Sequence, residues 1–260
     1  MRWQQLITKS AGFGASCVRA LLPLRTGLRV LTYHTVGGQA YEDALNLNSI
    51  SVELFRKHAD LIQTYNVVPL TPLNCSSDSL KIAVTFDDGY RDNLTIAAPL
   101  LVERNIPFTL FATSAFIEKK DALFLNASEL RELSTYPGVT IGSHGFSHID
   151  LTQCSNTELR NELTGSKRHL EDIIGIEVTT LSYPFGLVNQ RVRDAALDAG
   201  YQVGGAGYFN INQPDRDPLL INRSVVLQGD SSTVLKQKIN GDWDWYRFIQ
   251  RDPARATLND

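Results

Sequence analysis

The stretch that decides the fold is Lys81-Ile82-Ala83-Val84-Thr85-Phe86-Asp87-Asp88-Gly89-Tyr90, in which an apolar run passes directly into two carboxylates and a glycine. Working outward, similar short runs rich in Val, Ile, Thr and aromatic residues recur at Arg29 to His34, Val67 to Leu70, Phe108 to Ala112, Val139 to Ser143, Thr180 to Tyr183, Tyr201 to Gly204 and Ile221 to Val226. Stretches of helical period lie between them. Ser51 caps one over Ser51 to Tyr65, the capping-box pattern Ser155-Asn156-Thr157-Glu158 opens one over Asn156 to Ile174, and Asn189 and Gly200 bracket one over Gln190 to Ala199. Strands alternating with helices predict an α/β fold, a parallel sheet wrapped by helices. A length of 260 residues with neither linker nor internal repeat suits a single α/β barrel domain.

In such a barrel the C-terminal ends of the strands converge on one mouth. His34 ends the first predicted strand, Asp87 and Asp88 the third, His144 follows the fifth, and Pro184-Phe185-Gly186 follows the sixth. Side chains alternate along a strand, so adjacent carboxylates at its end point apart, and one can bind a metal while the other faces a substrate. The same Asp-Asp-Gly is also a good turn. His144 and His148 stand four apart in Ile141-Gly142-Ser143-His144-Gly145-Phe146-Ser147-His148, a spacing that lets two imidazoles grip one cation. Two imidazoles with one carboxylate leave open coordination positions, which suits zinc or another divalent transition metal that keeps a water. His58 and His169 fall within helices and read as packing or surface residues.

These residues resemble the polysaccharide deacetylase family, also called the NodB-homology or carbohydrate esterase 4 family. Its successive motifs appear here as Thr85-Phe86-Asp87-Asp88-Gly89, His144-Gly145-Phe146-Ser147-His148 and Ser182-Tyr183-Pro184-Phe185-Gly186, in matching order and spacing. Thr32-Tyr33-His34-Thr35-Val36 resembles the opening of the branch that acts on exopolysaccharides. The resemblance implies a distorted (β/α)7 barrel over about residues 28–228; the chain's own residues place a basic amphipathic segment before it (1–27) and a C-terminal helix and tail after it (229–260). The resemblance also implies a hydrolase that removes the N-acetyl group of an amino sugar, in a glycan or glycolipid substrate. Asp87 would be the general base, Asp88, His144 and His148 the ligands of a zinc ion, with cobalt or nickel as alternatives. A backbone N–H from the segment Tyr183-Pro184-Phe185-Gly186 would steady the tetrahedral oxyanion.

Two departures from the family pattern stand out. The arginine that opens the third motif in much of the family is Ser182 here, and Arg223 either replaces it or forms a structural ion pair. No histidine follows His169, so the late histidine that usually supplies the general acid is missing. His34 is the best remaining proton donor, against the reading that it shapes the rim or hydrogen-bonds Asp87. The alternatives in function are deformylation or deacylation of another small amide, and a non-catalytic glycan-binding protein. A glycosidase is disfavoured, because adjacent carboxylates cannot flank a bond at a separation of roughly 5 to 9.5 Å.

The net charge of -3 gives no field that would attract nucleic acid. Cys17, Cys75 and Cys154 are odd in number and far apart, which indicates neither a disulfide framework nor a thiolate zinc site. Residues 1–29 are basic at Arg2, Lys9, Arg19, Arg25 and Arg29, and the first acidic residue is Glu42. Such a segment either lies on an anionic membrane surface or packs as a helix across one end of the barrel. With no evident export signal, the expected location is the cytoplasm, peripheral at the inner membrane. The cluster Trp243-Asp244-Trp245-Tyr246-Arg247-Phe248 reads either as a sugar-stacking platform or as the packing face of a terminal helix.

Overall fold

Seven parallel strands close on themselves: β1 (Gly27–Tyr33), β4 (Leu80–Phe86), β5 (Phe108–Ala112), β6 (Val139–Ser143), β7 (Thr180–Ser182), β8 (Val203–Ala206) and β9 (Ile221–Val225), with β9 returning to β1. Two short strands, β2 (Thr35–Val36) and β3 (Ser49–Ile50), pair apart from the barrel. The computed structural model describes residues 26–71, 79–119, 121–250 and 252–253. The basic stretch before Thr26, Cys17 and Cys75 lie outside the described residues, and Cys154 carries a free thiol. No helix of the described residues is long and apolar enough to cross a membrane.

Strand alternation divides the core. Leu28, Val30, Ala83, Phe111, Val203 and Ile221 form the small apolar cluster inside the barrel. Their sequence neighbours Leu31, Tyr33, Ile82, Val84, Phe86 and Leu110 belong to the larger cluster between sheet and helices. There Tyr33, Phe55, Phe86 and Phe108 meet edge-on or stacked at centroid distances of 5.4 to 5.9 Å. Each such fully buried side chain contributes roughly 1.5–3 kcal/mol of apolar transfer.

The helices begin where the sequence places their caps. Ser51 accepts from Leu54 N ahead of α1 (Val52–Ile62), Ser155 forms a full capping box with Glu158 ahead of the long helix Asn156–Ile174, and Asn189 accepts from Val192 N ahead of Gln190–Asp198. The expected strand Val67 to Leu70 is not one. Val67 makes a single bridge to Ile82, Pro69 has no N–H to continue a ladder, and Leu70 instead completes the interior cluster.

The C-terminal segment, helix Ser232–Asn240 followed by the 3-10 turn Asp244–Ile249, is tied to the barrel by one buried ion pair. Arg29 on β1 donates through Nη1 and Nη2 to the Asp244 carboxylate at 2.8 and 2.9 Å, and both side chains are out of contact with solvent. Removing one member leaves the other charge buried and uncompensated. Arg29→Ala is therefore expected to lose about 3–5 kcal/mol in urea unfolding, whereas Arg29→Met combined with Asp244→Leu should recover most of it. A loss under about 1 kcal/mol in the single variant, the level of a surface pair, would contradict this role.

Candidate active site

The alternation that builds the core also aims the chemistry. Asp87 follows Phe86 at the end of β4, its N–H still bonded to Tyr33 O at 3.0 Å, so the next inward position after Thr85 is a carboxylate. His144 extends β6 in the same way, its N–H bonded to Ala112 O at 2.9 Å. Ser182 closes β7, and Arg223 sits two residues before Val225 on β9. His34, Asp87, Asp88, His144, His148 and Arg223 all line one cavity of about 500 Å³ at the strands' C-terminal ends.

Asp87 is buried and held from two sides. Arg223 Nη1 donates to its Oδ1 and Oδ2 at 2.8 and 3.0 Å, and Ser182 Oγ donates to Oδ2 at 3.2 Å. Burial alone would push this carboxyl up, but the Arg223 guanidinium, joined by His144 and His34, holds it below its ordinary value. The guanidinium fits because β7 and β8 offer small residues opposite it. A Cβ on Gly205 would stand 2.6 Å from Arg223 Cδ and Nε, and Gly205 pairs with Ser182. The serine that departs from the family motif is thus part of the space that admits an arginine from another strand. Glycines inside a strand signal such a close approach, and Gly204-Gly205 carried that signal in the sequence.

Asp88, His144 and His148 bring their ligand atoms within 4.8 Å of one another. Asp88 Oδ1 lies 3.4 Å from His144 Nε2 and 3.4 Å from His148 Nε2. The edge of a tetrahedron with bonds of about 2.0–2.1 Å is about 3.3 Å, so a zinc-sized cation fits this set. Asp88 Oδ1 is buried without a hydrogen-bond partner, an atom that a cation would satisfy. His144 Nδ1 contacts Ser182 O at 2.8 Å, an arrangement that places the ring proton on Nδ1 and leaves Nε2 free as a donor to a metal. The electrostatics agree with the donor set. Burial opposes ionisation of Asp88, yet contact with His144 and the charges of His34, His144 and His148 hold it well below the usual carboxylate range. Burial likewise depresses His144, but the charges of Asp87 and Asp88 outweigh it and raise its affinity for a proton. A field that draws a proton here also draws a cation.

The ligand loop is braced from behind. Glu162, in the helix Asn156–Ile174, accepts from Phe146 N and Ser147 N, both at 2.9 Å, while Ser143 Oγ accepts from Gly145 N at 3.2 Å. Asp88, His148 and Phe185 all hold left-handed backbone, with φ of 74°, 57° and 59°. Side chains other than glycine tolerate that conformation at a cost of order 1–3 kcal/mol, and such strain gathers at functional sites.

The remaining expected residues divide. His34 lines the cavity, its carbonyl fixed by Asn93 Nδ2 at 2.9 Å, and its Nδ1 is buried without a partner. Phe185 and Gly186 line the cavity too, but Tyr183 turns outward, its hydroxyl donating to Leu219 O at 2.9 Å. Among the amides of that turn, Tyr183 N and Gly186 N are already bonded to Gly205 O and Tyr183 O, and Pro184 has none. His58 is a packing residue between Tyr33 OH and Asp230 O. The sequence did not single out another part of the wall, where Tyr41, Glu42 and Asp43 approach from the chain between β2 and β3 and Phe209 from the C-terminal side, and where Tyr246 of the aromatic cluster joins them.

A family profile described as polysaccharide deacetylase matches residues 76–204. YxkH of Bacillus subtilis, named for the same family, is 28% identical over 217 residues, which cover 80% of this chain and 74% of YxkH. The peptidoglycan-N-acetylglucosamine deacetylase PgdA of Listeria monocytogenes is 30% identical over 115 residues, 44% of this chain but only 23% of PgdA. Among solved structures, the Streptococcus pyogenes deacetylase PplD in complex with acetate shares the fold at a TM-score of 0.72, with 22% identity over 84% of this chain and 99% of that one. IcaB from Ammonifex degensii does so at 0.68, with 19% identity over 84% of this chain and 98% of that one.

The Asp87–Arg223 pair generates a prediction with a definite sign. In the native metal-free protein the depressed Asp87 carboxyl contributes stability above its unfolded value near pH 4 and loses it as pH falls through the folded one. In Arg223→Met that carboxyl rises instead, so its contribution reverses. The variant should be destabilised by about 3–5 kcal/mol at pH 7, and the deficit should shrink as the pH is lowered toward 4 and Asp87 takes a proton. A deficit independent of pH, read from chelator-treated protein in urea, would mean that Arg223 acts only through packing.

Proposed function

The chain belongs to the polysaccharide deacetylase family, and from that premise we propose that it hydrolyses the N-acetyl group of an amino sugar within a polysaccharide, oligosaccharide or lipid-linked glycan, using a divalent metal ion held by Asp88, His144 and His148. The observation that carries this reading is the convergence, on one cavity, of a three-donor cluster and a separate ionised carboxylate that an arginine holds in place. Two imidazoles and a carboxylate favour zinc, with cobalt and nickel as alternatives.

When bound, the ion supplies Lewis acidity, making water more acidic and polarising the acyl carbonyl. The chain's own residues do the rest. Asp87 lies 3.9 Å from His144 Nε2, close enough to the donor cluster to take the proton of an attacking water, yet it is itself held by Arg223 and Ser182. Arg223 keeps Asp87 ionised at neutral pH and holds its carboxylate in place. Phe185 N–H is the amide of its turn that supports the oxyanion formed on the acyl oxygen. His34, whose buried Nδ1 has no hydrogen-bond partner among the described residues, delivers the proton to the departing nitrogen. The water oxygen joins the acyl carbon, the C–N bond breaks, and acetate leaves a free amine on the sugar.

Acetate and formate release from defined N-acyl oligosaccharides, with protein depleted of metal and reloaded, tests this reading. Asp87→Asn is expected to lower kcat about 10²- to 10⁴-fold while one equivalent of zinc still binds. His34→Ala should lower kcat while one equivalent of zinc still binds. Formate release without acetate release would shift the reading to a deformylase, and full turnover by the metal-depleted protein would remove the metal from it.

A further inference from the structure

β1 ends at Tyr33, whose carbonyl accepts from Asp87 N at 3.0 Å, so His34 is the first residue beyond the barrel ladder. Past that point the chain is gripped by two side chains from the segment that follows Asp88. Asn93 Nδ2 donates to His34 O at 2.9 Å and to Asp92 Oδ1 at 3.0 Å. Asp92 Oδ1 also accepts from Val36 N at 3.0 Å, and Asp92 Oδ2 accepts from Thr35 Oγ1. Three consecutive residues are thus held by two. A Cβ on Gly38 would stand 2.6 Å from Asp92 Oδ2 and 2.7 Å from Thr35 Oγ1, so a glycine is what lets the chain pass over this clip.

The donors that engage Asp92 are a hydroxyl, a backbone amide and a side-chain amide, all neutral. Burial pushes its carboxyl up to about 6, against the pull of Thr35 and Val36. Holding a loop with a partly buried carboxylate and no countercharge is unfavourable, and the deacetylase reading gives Asp92 no task. Its neighbour Asn93 is fully buried and opens a π-helical turn, Asn93–Ala97, a wide form of helix that gathers at functional sites. The stretch from Asp87 to Asn93 therefore carries the base, a metal donor and the clip on His34. On the opposite edge β3 holds the same loop, with Thr35 N bonded to Asn48 O at a long 3.4 Å and Gly37 N to Ile50 O at 2.7 Å.

We propose that Asp92 is a positioning residue for His34: with Asn93 it fixes the main chain from which the imidazole reaches the departing nitrogen, so that one segment sets base, metal donor and proton donor relative to one another. It rests on the deacetylase reading, in which His34 delivers that proton, and extends it to a side chain outside the cavity lining. Geometry is what Asp92 supplies, since a neutral side chain of the same shape meets the same partners. In Asp92→Asn the carbonyl accepts from Val36 N and Asn93 Nδ2, and the amide donates to Thr35 Oγ1.

The test compares two leaving groups in the zinc-loaded enzyme: an N-acetylglucosamine oligosaccharide, whose amine must be protonated as it departs, and 4-nitrophenyl acetate, whose phenolate leaves without a proton. Asp92→Ala should lower kcat on the amide about 10- to 10²-fold with KM little changed, leave the ester rate near wild type, and still bind one equivalent of zinc. Asp92→Asn should restore most of the amide activity. In the His34→Ala background Asp92→Ala should add nothing, as expected of residues that act as one unit. Equal losses on amide and ester, losses that add in the double variant, or zinc lost from Asp92→Ala overturn the proposal and leave the deacetylase reading in place, as does full amide activity in Asp92→Ala. Wild-type kcat in His34→Ala removes the proton donor and this proposal with it, whereas failure to release acetate from any N-acetyl substrate removes the deacetylase reading itself.

Discussion

Two carboxylates on consecutive residues, both buried and both held ionised, are the constraint around which this protein is organised. Taking one such group out of water costs several kcal/mol unless charge compensates it. Here each has its own compensation. Asp87 receives a guanidinium, and Asp88 faces two imidazoles in an arrangement that a cation would complete. Strand alternation separates the two jobs, since the inward position after Thr85 goes to Asp87 and the left-handed turn at Asp88 carries the second carboxylate toward His148.

Barrel closure is what makes the first compensation available. β1 pairs with both β4 and β9, so Asp87 and Arg223 meet across it although 136 residues separate them in the chain. The arginine that much of the family carries at the position of Ser182 would reach the base from β7. In this chain β7 and β8 present Ser182 and Gly205, and the guanidinium enters from β9 into the room they leave. The charge is kept while its strand of origin changes. A Gly205 side chain and Arg223 therefore compete for one volume, so a larger residue at 205 requires the Arg223 side chain to move or shorten. The same logic reaches the C-terminal segment, which the Arg29–Asp244 pair fastens to the outside of β1 and which brings Tyr246 to the mouth.

Much of this was legible in the sequence, and the parts that were not have physical reasons. The strands Phe108–Ala112 and Val139–Ser143 fall where expected, because Pro107 and Gly138 mark their starts. The strand expected to end at Gly204 runs on to Ala206, since its glycines answer to crowding by Arg223, Tyr183 and Leu219 O, which local propensity does not register. Val67 to Leu70 has strand composition, yet Pro69 stops the ladder after one bridge. The cluster of Asp88, His144 and His148 was readable because its members lie within two short motifs. Apart from Tyr246, the aromatic and acidic walls of the cavity were not, because they come from segments that only the closed barrel brings together. The Trp243 to Phe248 cluster divides between its two readings, with Trp243 buried, Tyr246 at the cavity and Phe248 exposed.

Anomalous diffraction at the zinc edge, from crystals of zinc-loaded protein soaked in acetate, tests the central claim most directly. The account predicts one zinc peak at about 2.0–2.2 Å from an Asp88 oxygen, His144 Nε2 and His148 Nε2, with Asp87 outside the coordination sphere and still paired with Arg223. Zinc ligated by Asp87, or absent from these three residues while the protein remains active, would contradict it.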